Sequence, residues 1–72
     1  MRKLMFTADW CGACKVMKPI VEEIGGIEII DVEEDTALTE QYGVMSLPAF
    51  IVDNNGDIKS NFGSMPKKMM RS

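Results

Sequence analysis

Apolar and polar positions along the chain switch between a strand-like and a helix-like rhythm. Lys3-Leu4-Met5-Phe6-Thr7 carries a short apolar run and predicts a buried strand, followed by a loop over Thr7-Ala8-Asp9-Trp10. From Gly12 onward the apolar residues are Val16, Met17, Ile20, Val21 and Ile24, with Lys15, Lys18, Glu22 and Glu23 on the other face, which is the pattern of an amphipathic helix. Gly25-Gly26 ends it, and Pro19 inside it removes one backbone hydrogen bond and is expected to bend the axis. Ile27 to Val32 is rich in β-branched residues and predicts a second strand, buried on both faces.

Asp35 or Thr36 suits the cap of a short helix that runs through Tyr42 and stops at Gly43. Ala49 to Val52 predicts a third strand, and the turn signal Asp53-Asn54-Asn55-Gly56 returns the chain as an antiparallel fourth strand over Asp57 to Phe62. A C-terminal helix is expected from Met65 to Arg71, its Lys67, Lys68 and Arg71 matching the negative end of the helix dipole. The order is βαβ followed by αββα, so the first two strands are expected parallel and the last two antiparallel. An α/β fold follows, with a four-stranded mixed sheet flanked by helices. The first strand hands over to the first helix at the two cysteines.

Seventy-two residues allow one domain, 1–72, and a chain this short buries only about 60% of its unfolded surface. Two cysteines without histidine exclude a multi-bridge scaffold and cannot complete a four-ligand zinc site within one chain. The net charge is −3, with no Lys or Arg between Pro19 and Ile58, where Glu22, Glu23, Glu28, Asp31, Glu33, Glu34, Asp35 and Glu40 accumulate. A solvated acidic face is the simplest account of them. If the chain ends lie beside the cysteines, one end of the molecule is relatively basic. The absence of a basic stripe argues against nucleic-acid binding. With no apolar run of signal-peptide or membrane-spanning length, no membrane is expected as partner and the expected compartment is the cytoplasm. There a C-x-x-C is more often catalytic or metal-binding than a structural disulfide.

The stretch Thr7-Ala8-Asp9-Trp10-Cys11-Gly12-Ala13-Cys14-Lys15 carries the candidate chemistry. Cys11 takes the capping position of the predicted helix, where free N–H groups and the dipole stabilise a thiolate; its pKa falls from roughly 8.5 toward about 3.5–7.5. Cys14 follows one turn later, so one sulfur can attack a partner disulfide and the other resolve the mixed disulfide. Lys15 and Lys18 add positive charge, weakly if exposed. Plain packing offers a competing account: two small buried sulfurs, a core Trp10, a solvated Asp9 and an ordinary trans Pro48.

Trp10-Cys11-Gly12-Ala13-Cys14-Lys15 resembles the active-site motif of the thioredoxin family, with Ala13 where thioredoxins usually carry proline. Pro19 matches the family's helix-kinking proline, and Tyr42-Gly43-Val44-Met45-Ser46-Leu47-Pro48-Ala49-Phe50 resembles its segment leading to a cis-proline. Asn55-Gly56 and Gly63 match the last turn and the glycine beyond the final strand. The resemblance implies a thioredoxin-like β-α-β-α-β-β-α fold, glutaredoxin-sized, without the N-terminal strand and helix of a full-length thioredoxin. It implies a dithiol–disulfide oxidoreductase in which Cys11 is the exposed nucleophile and Cys14 the buried resolving thiol. Pro48 in cis would face the cysteines, the Leu47 backbone would pair with an incoming peptide, and Trp10, Gly12, Ala13 and Gly63 would line the docking surface. The implied partners are disulfide-containing proteins, ribonucleotide reductase among them, and a thioredoxin reductase or glutathione as electron donor. A monomer without cofactor or metal is expected.

The departures shape the expectations further. Thioredoxins bury an aspartate where this chain has Met5, and the lysine of the next strand aligns with Ile29. Cys14 is therefore expected to titrate high and the second exchange step to be slow. Asn61-Phe62-Gly63-Ser64-Met65-Pro66-Lys67 lacks the second glycine and the acid with which glutaredoxins hold glutathione, so a glutathione-dependent thiol transferase is the second choice. A non-catalytic binding module, docking through the acidic midsection and the Met-rich tail, is the alternative of another class. Met45 and Met65 would offer adaptable apolar contacts beside the site.

Overall fold

The computed structural model describes residues 1–63, so the expected helix at Met65 to Arg71 lies outside the described residues. Six elements follow in order: β1 (Arg2–Thr7), α1 (Gly12–Ile24), β2 (Glu28–Asp31), α2 (Thr36–Gln41), β3 (Ala49–Asn54) and β4 (Asp57–Phe62). They form a four-stranded sheet of order β2-β1-β3-β4, in which β1 and β2 are parallel and the other pairs antiparallel. The mixed α/β architecture expected from the sequence is the one observed.

The two central strands are apolar on both faces, and alternation distributes their side chains between two cores. Met5, Phe50 and Val52 join Cys11, Cys14 and Val21 on the α1 face. Leu4, Phe6, Ala49 and Ile51 join Tyr42 on the other, with Leu38 of α2 packed against them. Each helix thus covers one face of the sheet.

Three expectations need correction. The buried line of α1 runs through Cys14, Met17, Val21 and Ile24, whereas Val16 and Ile20 are exposed. One helix face of three- and four-residue steps suffices to meet the sheet, and these two positions fall on its flank. β2 is not buried on both faces. Ile27, Ile29, Ile30 and Val32 are half-buried because β2 is an edge strand with a neighbour on one side only among the described residues. The N-terminal basic residues do not lie beside the cysteines, and Lys67, Lys68 and Arg71 fall outside the described residues. β1 runs from Arg2 toward the cysteine loop, so Arg2 starts at the far end of the sheet, where its guanidinium bonds both oxygens of Glu28 at 2.7 and 3.0 Å.

The turns match their residues. β3 extends two residues beyond Val52, leaving Asn55-Gly56 as a two-residue hairpin loop with φ of 53° and 94°. Positive φ at both positions fits the twist of the flanking strands, and Asn-Gly tolerates it. Asp35 caps α2 by accepting the Leu38 N–H at 3.1 Å. Tyr42 closes the far face: its ring packs on Phe6 with centroids 6.1 Å apart, and its hydroxyl donates to Asp53 at 2.8 Å.

Candidate active site

α1 begins at Gly12, and Cys11 is its N-cap, with extended backbone (φ −89°, ψ 105°). The Cys14 N–H donates to the Cys11 sulfur at 3.3 Å, so a sulfur takes the place usually filled by a Ser or Asp oxygen. Above the cap, the Cys11 N–H donates to the Ala8 carbonyl at 3.1 Å, and the Lys15 N–H to the Cys11 carbonyl at 3.3 Å. The loop is therefore held from both sides. Cys11 and Cys14 are joined as a disulfide with Cα atoms 5.3 Å apart.

The two sulfurs differ in access. Cys11 is 8% exposed and Cys14 not at all, because Cys14 points into the core of Met5, Ala8, Val21 and Phe50 while Cys11 lies at its rim. An incoming molecule meets the Cys11 side first. Exchange through a thiolate at a helix N-terminus, followed by attack from the neighbouring sulfur, is the chemistry this pair can perform.

The other sequence-predicted residues assemble around it. Trp10 is 71% exposed and overturns its composition-based place in a core. Gly12 and Ala13 are exposed at the start of α1, and Asp9 is exposed in the loop. The Leu47–Pro48 peptide is cis, Pro48 is fully buried, and half-buried Leu47 packs against the cluster that holds both cysteines. The Gly63 N–H donates to the Pro48 carbonyl at 2.7 Å, which ties the end of β4 to this segment. Met45 stands 83% exposed.

Sequence reasoning missed the shape that joins these pieces. Trp10, Val44, Met45 and Leu47, with Val32, Thr39 and Ser46, line one open cleft of about 200 Å³ beside the cysteine loop. Val32 comes to it because its N–H donates to the Thr7 carbonyl at 2.9 Å, a contact across 25 residues that no local pattern announces. A second, charged cleft of about 320 Å³ lies between Lys15 and Lys18 of α1 and the end of β2. Among the described residues, no group of three or more His, Cys, Asp or Glu is arranged to hold a metal. No helix among them is long and apolar enough to cross a membrane.

Comparison with known proteins agrees with this arrangement. The family model described as Thioredoxin matches residues 3–72. The thioredoxin of Bacillus subtilis is 35% identical over 74 residues, covering 92% of this chain and 71% of that protein. A thioredoxin of Staphylococcus epidermidis is 37% identical over 71 residues, covering 88% of this chain and 68% of that one. Among solved structures, thioredoxin 1 of Thermosipho africanus superposes with a TM-score of 0.79 at 26% identity, over 99% of this chain and 88% of that chain. The thioredoxin of Malassezia sympodialis gives 0.80 at 27% identity, over 96% of this chain and 68% of its own.

Proposed function

Since the chain belongs to the thioredoxin family and is a thiol–disulfide oxidoreductase, we propose that it reduces protein disulfides through Cys11 as nucleophile and Cys14 as resolving thiol, with residues 1–72 acting as a single domain. The observation that carries this reading is the asymmetry of the pair: the Cys11 sulfur, at the rim, accepts a helix N-terminal N–H, while the Cys14 sulfur is sealed behind it.

In the reduced protein the Cys11 thiolate attacks one sulfur of a substrate disulfide. A mixed disulfide forms, and the second substrate sulfur leaves as a thiolate that takes a proton. Cys14 then loses its proton, and its sulfur attacks that of Cys11, breaking the mixed bond and releasing the other substrate sulfur as a thiolate that takes a second proton. The substrate gains two electrons and two protons, and the protein is left with its Cys11–Cys14 disulfide. The cleft beneath Trp10 and Met45 receives the substrate segment next to its cysteine, Leu47 and Pro48 flank that segment, and Gly12, Ala13 and Gly63 leave room for it. A thioredoxin reductase or glutathione returns the dithiol in the cytoplasm, and ribonucleotide reductase is one acceptor to assay.

Insulin reduction tests the reading, with dithiothreitol, a thioredoxin reductase, and glutathione plus its reductase as separate donors. Turnover by the wild type that disappears in Cys11→Ser is the expected result, and the donor that sustains it identifies the recycling system. Equal activity of wild type and Cys11→Ser would remove Cys11 from the reaction and leave the scaffold reading.

A further inference from the structure

The sheet order leaves β2 at an edge, and among the described residues it pairs with β1 alone. On its outer side the N–H and C=O of Ile29 and the N–H of Asp31 are open to an added strand, whereas the Asp31 carbonyl already accepts the Glu34 and Asp35 N–H groups at 3.1 and 2.9 Å. Its side chains are unfinished in the same direction. Ile29 packs against the core on the α1 face and Ile30 against the core on the α2 face, yet both remain half-buried. A neighbouring strand would complete the burial of both. The opposite edge offers less, because β4 is exposed from Asp57 to Asn61 and carries a single large apolar side chain in that stretch, Ile58.

Charge decides what kind of strand fits. β2 reads Glu28-Ile29-Ile30-Asp31, an acid at each end of two β-branched residues, and Glu33 and Glu34 follow at once. Glu28 is held by Arg2, whereas Asp31, Glu33 and Glu34 form no ion pair among the described residues. The charged cleft runs alongside, with Ile29 in its wall, the carboxylates of Asp31, Glu34 and Asp9 around it, and Lys15 and Lys18 on the α1 side. These five charges sum to one negative, and no pair of them comes within ion-pair distance. A second copy of this chain is a poor occupant, since two β2 edges would set like charges opposite one another.

We propose that the β2 edge docks an extended basic segment of a partner protein, which joins the sheet as a fifth strand. The complementary pattern is basic, β-branched, β-branched, basic. In an antiparallel register its two apolar residues face Ile29 and Ile30, and its cations face Glu28 and Asp31. Main-chain bonds supply the pairing and the flanking charges select the partner. The surface is separate from the cysteine cleft, so it can tether a partner while the cysteines react, or serve a partner that is not a substrate.

Amide chemical shifts and hydrogen exchange of the whole chain, titrated with acetyl-Thr-Lys-Val-Ile-Lys-Thr-amide to millimolar concentration, test this without any turnover measurement. The expected result is perturbation and slowed exchange at Glu28 to Asp31, weakening with salt. Replacing both peptide lysines with glutamate should abolish it. Asp31→Asn with Glu34→Gln should weaken binding roughly three- to tenfold, and the Asn oxygen can still accept the Glu33 N–H that Asp31 binds at 2.8 Å. The proposal is overturned by perturbation centred on β4 or on the Trp10 cleft, by equal binding of the glutamate peptide, by no response at all, or by dimerisation of the chain through β2.

Discussion

Met5 and Ile29 are register partners across the parallel strands β1 and β2, and both pack into the cluster that contains Cys14. Two apolar side chains thus occupy the positions where the family resemblance places a carboxylate and a lysine. Met5 is fully buried, so any charge introduced there has no water to solvate it. Met5→Asp should cost about 3–5 kcal/mol when ionised. Burial would raise that carboxyl's pKa, so at low pH the variant bears only the loss of the Met5 packing, and the ionisation cost is added progressively as pH rises above the unfolded value toward the folded one. Urea melts at pH 4 and pH 8 measure the difference, and adding Ile29→Lys should recover part of the loss at pH 8. Equal stability of Met5→Asp at both pH values would contradict the burial.

The unequal access of the two sulfurs predicts unequal alkylation. In the reduced protein, iodoacetamide should modify Cys11 at least roughly tenfold faster than Cys14, read by peptide mass spectrometry on a time course. Cys14→Ser should then accumulate a mixed disulfide with substrate on Cys11, which Cys11→Ser cannot form.

Trp10 and Met45 are exposed, so removing them touches little of the core. Trp10→Ala and Met45→Glu should leave the melting temperature nearly unchanged and raise the KM for insulin roughly tenfold. The proposed cleft is wrong if both variants keep the wild-type KM.

Three titratable groups at the far end of the sheet make folding depend on pH. The Arg2 hydrogen bond lowers the Glu28 pKa below its ordinary 4.5, against a smaller desolvation effect. The Tyr42 hydroxyl, then the Gly56 N–H, lower that of Asp53 below 3.8. Both carboxylates therefore contribute stability that is present above their unfolded values and is lost as pH falls through the folded ones. The bond to Asp53, with desolvation, raises the Tyr42 pKa above 10.0, so its contribution is lost as pH rises beyond that value. Thermal melts from pH 2 to 11 should show both arms. Asp53→Asn and Tyr42→Phe should each flatten both arms, because the leading cause of each group's shift is the other, while Glu28→Gln should affect only the acid side.

Much of this is legible along the chain because it is local. The helix from Gly12, its end at Gly25, the Asp35 cap and the Asn55-Gly56 turn each depend on a few neighbouring residues whose backbone preferences agree. The cysteine spacing and its helix N-terminus are local too, so the candidate chemistry follows from residues 7–15 alone. Periodicity nevertheless points to too wide an apolar face on that helix, because Val16 and Ile20 fit it as well as the residues that are buried. Which stripe is buried depends on where the sheet lies.

By itself the sequence determined the elements, their order and the residues proposed to react, since short-range sterics, capping and periodicity act within a turn or a strand. The tertiary structure alone decided what required distant parts to meet. It buried Cys14 and left Cys11 at the rim, it brought Val32 and Thr39 to Trp10, and, among the described residues, it left β2 with an open side. Burial and pairing are properties of what lies on the other side of a residue, and strand order, not any local pattern, sets that.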